Sequence, residues 1–195
     1  MERFSFIFVV GGVLLFAFAF TTLGLGPWLV LDKTEVEPLQ IDEVPWQFEE
    51  DYDSPEAYMD GLRHGRDIYV SEGCWHCHSQ YVRPVGNEAL YYGPVSTAGE
   101  YQNELQLPQL FGTRRVGPDL IRESNKHSKD WHFAHFYNPR NVVPESVMPS
   151  FPWYYTDDGE PTKDLVDLTA YVMWLGSWAE VPDELELERR AEGLP

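Results

Sequence analysis

The 195-residue chain carries 14 basic against 32 acidic residues, a formal net charge of −18. That excess repels phosphate backbones and excludes nucleic acid as a partner; it permits steering of a basic soluble protein, with a solvated acidic surface as the plainer reading. The length suits one globular domain with appendages, and seven Trp, eleven Tyr and eleven Phe could wall a flat apolar cofactor or fill an ordinary core.

From Phe4 to Leu31 the chain has no charged residue. A hydrocarbon layer needs about 20 apolar residues, so this run is long enough to cross one. Trp28 suits the interfacial belt. Ala17-Phe18-Ala19 offers a signal-peptide cleavage site, but the apolar region is longer than a signal core of roughly 7–15 residues, which favours a retained anchor. Arg3 and Lys33 flank the run and leave its orientation undecided. Residues 32–54 are acidic and spaced by Pro38 and Pro45, the pattern of an extended linker, with Trp46 and Phe48 available to pack on the domain or on a neighbour. Ser54-Pro55-Glu56 then predicts a helix start, with Ser54 as cap and Pro55 as first residue. The helix runs toward Gly73; Gly61 and Gly65 within it either admit a close neighbour or mark a loose helix.

Gly73-Cys74-Trp75-His76-Cys77-His78 contains both cysteines of the chain. Two thiols separated by two residues and followed by histidine match c-type haem attachment, in which each sulfur adds to a vinyl group and the imidazole takes one face of the iron. A redox dithiol, half of a zinc site and a plain disulfide compete with that reading. The chain lacks the β/α alternation of thioredoxin-like folds and has no second cysteine pair, although its other histidines leave zinc formally open. Haem attachment also implies maturation outside the cytoplasm.

Residues 79–118 show no sustained period and are too long for a passive loop. Arg83, Arg114 and Arg115 lie there, and guanidinium groups suit haem carboxylates, with ordinary surface roles as the alternative. Ser128–Tyr137 predicts a short helix bringing His132 and His135 near one face, with His127 just before; packing and surface roles fit these better than a zinc site. Met148 sits between Pro144 and Pro149, a stiff loop able to present a weak thioether ligand to iron. Met173 falls on the apolar stripe of a helix predicted over Pro161–Gly176 and reads as core; His127, His132 and His135 are the other candidates for the second axial position. Residues 180–195 form an acidic tail with a helix-prone run at Leu185–Arg190.

The order CxxCH, Gly117-Pro118-Asp119-Leu120, Met148-Pro149 and a final apolar helix resembles class I cytochrome c. The likeness is closer to the membrane-anchored monohaem subunit of cbb3-type cytochrome c oxidases. Gly65-Arg66-Asp67-Ile68-Tyr69, Cys77-His78-Ser79-Gln80, Val82-Arg83-Pro84, Trp131-His132, Asn138-Pro139-Arg140 and Val143 to Pro149 carry it over about residues 65–153. Tyr81 stands where that family commonly has methionine, and residues 94–112 diverge.

The resemblance implies an all-α protein: a single transmembrane helix followed by a class I cytochrome c-like domain with long loops. It implies an anchor at 1–31, a linker at 32–54, a cytochrome domain at 55–179 and a tail at 180–195. One covalent haem c would be held by Cys74 and Cys77, with His78 and Met148 as iron ligands. The Pro118 carbonyl would accept the His78 ring N–H, and Arg83 and Arg115 would serve the haem carboxylates. The partners implied are the membrane, a catalytic haem–copper subunit and a further cytochrome c subunit. The place implied is the inner membrane, with the domain on the periplasmic face. The chain would relay electrons and perform no oxygen chemistry itself. A free membrane-tethered shuttle and the anchored cytochrome of a nitric oxide reductase share the anchor and CxxCH; the Ser79-Gln80 and Met148 surroundings favour the oxidase.

Overall fold

The computed structural model describes residues 2–31, 36–112 and 114–193, and Lys33 and the start of the acidic linker lie outside them. The chain divides into two compact units, Met1–Pro38 and Leu39–Pro195.

In the first unit, α1 (Glu2–Ala19) continues through a π-helical stretch, Phe20–Leu25, into α2 (Gly26–Leu31). Pro27 has no N–H, and its ring would strike the carbonyl four residues back in a regular helix; the wide turn opens the ladder just before it. Thr21 and Thr22 hydroxyls donate back to the carbonyls of Ala17 and Phe18 at 2.7 and 2.8 Å, so neither is left unsatisfied among apolar side chains. Phe4–Val30 is long and apolar enough to cross a membrane, and none of it is buried inside the protein.

The second unit is helical, with no strand among the described residues. α3 (Pro55–Ser71) begins as its sequence predicts, Ser54 Oγ accepting from Ala57 N at 3.2 Å. It crosses α6 (Lys163–Trp174) at Gly65, where an added Cβ would lie 2.0 Å from the Asp167 carbonyl oxygen. Gly65 therefore admits a close neighbour and does not mark a loose helix; the Tyr52 ring occupies the same kind of space over Gly61. Leu62, Tyr69, Leu165, Leu168 and Tyr171 are essentially inaccessible in the shared core, each contributing roughly 1.5–3 kcal/mol by burial. Buried Asp167 ties the crossing together, accepting from Tyr52 Oη at 2.5 Å, His64 Nδ1 at 2.9 Å and the Lys163 ammonium.

α5 (Lys129–Tyr137) packs on α6 with Ser128 as its cap. The final core helix begins two residues later than predicted, because Pro161 bridges back to Tyr155 and Thr162 takes the cap. The linker-like stretch is docked from Leu39 onward. Leu39, Ile41 and Val44 lie against the core and Phe48 is 1% exposed, while Trp46 remains 78% exposed. Between residues 79 and 118 the chain forms α4 (Glu88–Tyr92) and a turn at Ala98–Tyr101 closed by a Thr97/Glu100 capping box. The acidic tail forms a longer helix than predicted, α7 (Asp183–Ala191), packed on α4 with Arg189 buried.

Candidate functional site

α3 ends at Ser71 with Glu72 as its C-cap, and Gly73 adopts a positive φ of 70° that stops the helix and turns the chain. Cys74–His76 follows as one tight turn, with His78 N donating to Cys74 O at 2.9 Å. Both thiols and the histidine therefore lie on a single hydrogen-bonded coil. Glu72 secures its base by accepting from Tyr154 Oη at 2.6 Å and Trp153 Nε1 at 3.2 Å, which joins the end of α3 to the chain beyond Met148.

The segment 116–120 is laced to that coil. Val116 N and Gly117 N both donate to Cys77 O, at 2.8 and 2.9 Å, and Leu120 N donates to Ser79 O at 2.8 Å. His78 Nδ1 lies 2.8 Å from Pro118 O. A carbonyl only accepts, so Nδ1 carries the proton and Nε2 carries the lone pair. Burial lowers the His78 pKa below the usual imidazole value, against the hydrogen bond to Pro118, and the ring is neutral at neutral pH. Gly117 makes this approach possible: a Cβ there would sit 2.3 Å from His78 Cε1.

Asp119 underlies the arrangement, and its part was not legible in the sequence beyond membership of the Gly-Pro-Asp-Leu string. It is 1% exposed and accepts from Ser79 Oγ (2.5 Å), Tyr81 N (2.9 Å), Ile121 N (3.0 Å) and Arg115 (3.2 Å). Arg115 also donates to Ser79 Oγ, to Tyr81 O at 2.6 Å and to Glu88 at 2.7 Å. Arg83 pairs with the same Glu88 carboxylate, whose pKa the two arginines hold down at about 2. Both arginines expected at haem carboxylates are thus engaged by protein carboxylates; exposed Arg114 lines a small cavity with Tyr81 and Phe111.

Across the site, Met148 is half-buried in an irregular loop. Arg140, quoted earlier only as part of a motif, clamps that loop by donating to Ser146 O at 3.1 Å and Met148 O at 3.3 Å. Of the three clustered histidines, His135 reaches the sulfur, its Nε2 3.1 Å from Met148 Sδ. His127 stacks on Trp131, and buried His132 lies 4.0 Å from Glu123. Burial pushes His132 and His135 down to about 3 and 4, and Glu123 up to about 7. Met173 is buried in the core of α6 as its stripe position predicts.

The donor set fits a haem: two unpaired thiols on one coil, a neutral imidazole with Nε2 available, and a thioether on a second wall. The competing chemistries fit less well. Burial pushes the Cys74 thiol up to about 12, and a thiol that resists ionisation is a poor exchange nucleophile. Among the described residues no three His, Cys, Asp or Glu side chains gather as a zinc site requires.

An all-helical domain with crossed first and last core helices, a CxxCH coil and a proline carbonyl on its histidine has the class I cytochrome c architecture. The family model described as cytochrome c oxidase, mono-haem subunit/FixO matches residues 44–178, and the chain belongs to that family. A comparison with curated proteins found no match.

Proposed function

We propose that this oxidase subunit carries one haem c bonded through Cys74 and Cys77, with His78 and Met148 as its iron ligands. It relays electrons from a further cytochrome c subunit to the low-spin haem of the catalytic haem–copper subunit, and performs no oxygen chemistry itself. The observation that carries this reading is the His78–Pro118 hydrogen bond, which leaves a neutral nitrogen lone pair beside two thiols on the same coil. When bound, the haem supplies a reversible one-electron change at iron.

The protein's own part is to hold the ligands still. Pro118 keeps the proton on Nδ1 and fixes the ring plane. Asp119 and Arg115 brace the segment that carries Pro118, and Arg83 acts with them through Glu88. Arg140 holds the backbone on either side of the sulfur-bearing side chain. Cys77 is exposed and Cys74 half-buried, so the attachment edge opens to the surface where an electron-transfer partner can approach.

In this reading residues 1–31 anchor the chain in the inner membrane and 32–54 connect anchor to domain, with 39–54 docked on the latter. Residues 55–179 form the haem domain on the periplasmic face, and 180–195 are a tail. Haem attachment to CxxCH outside the cytoplasm is what supports that orientation.

The test is a haem-dependent peroxidase stain after denaturing electrophoresis of the exported protein. Colour should stay with the chain and vanish in Cys74→Ser/Cys77→Ser. Met148→Ala should remove the weak sulfur-to-iron charge-transfer band while the stain persists. A colourless wild-type band would overturn the cofactor assignment; an unchanged Met148→Ala spectrum would overturn the second ligand. Purification in detergent with a many-helix haem–copper protein distinguishes subunit from free shuttle.

A further inference from the structure

His135 and Met148 meet although they are thirteen positions apart in the chain, with Nε2 and Sδ 3.1 Å apart. The imidazole has one proton to place when neutral. Its other nitrogen, Nδ1, is buried and has no hydrogen-bond partner. A buried N–H without an acceptor is costly, whereas Nε2 faces a sulfur lone pair, so the proton belongs on Nε2 and points at Sδ. The ring has little freedom to turn away. Trp131, one helical turn earlier on α5, stacks on it at 4.7 Å with planes 10° apart, and His127 stacks on the far face of Trp131 at 3.7 Å and 10°.

We propose that His135 is a positioning residue for the methionine ligand: its Nε2–H occupies one sulfur lone pair and leaves the other for iron. This rests on Met148 being the ligand, as proposed above. Two consequences follow from the chemistry. A sulfur that accepts a hydrogen bond donates less strongly to the metal, which favours the reduced state and raises the potential. The same arrangement disfavours His135 itself as ligand, because binding through Nε2 would move the ring proton to Nδ1, where no acceptor waits.

The experiment uses the full-length, haem-loaded chain in its detergent-purified complex, comparing wild type with His135→Leu and His135→Gln. The readouts are the sulfur-to-iron charge-transfer band, the midpoint potential by redox titration, and binding of carbon monoxide to the reduced protein. Haem content per chain shows that each variant has folded. His135→Leu should lower the potential, shift or weaken the band and admit carbon monoxide. His135→Gln, which can still offer an N–H, should stand nearer to wild type on all three. Equal effects from Leu and Gln would reduce His135 to a packing role, and no effect from Leu would remove it from the site; either overturns the inference. A wild-type protein without the band would instead mean that Met148 is not the ligand, which is the failure of the underlying reading.

Discussion

His78 and Met148, the two iron ligands proposed above, ride on chain segments of opposite character. His78 rides on a coil that is hydrogen-bonded within five residues and then laced to 116–120 by three backbone bonds and one ring bond. Met148 hangs from a loop without regular structure, held by side chains from elsewhere: Arg140 at its backbone and His135 at its sulfur. Backbone geometry therefore fixes the nitrogen side. The sulfur side depends on a few long polar side chains, any of which can be removed without unmaking a helix. The difference matches the chemistry, since an imidazole is a strong ligand and a thioether a weak one that needs support.

Substitutions on the two sides should separate accordingly. Asp119→Ala is expected to be the most damaging, because it takes the acceptor from Ser79 Oγ and from the backbone N–H groups of Tyr81 and Ile121 at a nearly inaccessible position, and leaves Arg115 with Glu88 as its one carboxylate partner. Leaving buried donors of this kind without an acceptor costs about 1–3 kcal/mol each, measurable by denaturant unfolding, and haem attachment should fall with it. If Asp119→Ala left stability within experimental error, the nitrogen side would not be the rigid half.

Gly117→Ala comes next. The added methyl would collide with the His78 ring, and overpacking costs roughly 1–3 kcal/mol. Its signature should be a weakened iron–imidazole bond on the nitrogen side, read by resonance Raman of the reduced protein, with haem still covalently attached.

Arg140→Ala should be milder for stability and sharper for the sulfur. Two hydrogen bonds to carbonyls disappear from a largely exposed guanidinium, about 1 kcal/mol. The freed loop should let carbon monoxide compete with Met148 at rates well above wild type. An Arg140→Ala protein with unaltered carbon monoxide kinetics would show that the loop holds itself.

A last expectation concerns pH. Burial raises the Glu123 pKa from 4.5 to about 7 in the fold. A carboxyl shifted upward stabilises the folded state below its unfolded value near 4.5, and that contribution is lost as pH climbs through 7. Glu123→Gln should therefore gain thermal stability relative to wild type as pH rises from about 5 to about 8. A constant offset across that range would place the charged carboxylate in a better-compensated setting.

Legibility in the sequence followed the same division. The caps at Ser54 and Ser128, the Gly73 stop and the CxxCH coil are local, and their residue types carry their geometry. The Pro118 contact with His78 was reachable because a short motif names it, and Met148 was proposed because two prolines stiffen its loop. Arg83 and Arg115 were read toward haem carboxylates because a guanidinium matches a carboxylate, and the fold shows protein partners that the sequence did not name, Glu88 for both and Asp119 for Arg115. Charge says that a guanidinium needs an acceptor, not which one the chain brings within reach.

By itself the sequence determined the elements whose hydrogen bonds close over a few residues: the apolar N-terminal helix, the capped helices and the thiol–histidine coil. Only the tertiary structure decided which distant groups meet. Gly65 found its use against Asp167 and Glu72 against Tyr154, while Met148 reached His135 from the far side of the loop. Those pairings depend on helix crossing and loop closure, which no local propensity encodes. They are what joins the thiol–histidine coil to the rest of the domain.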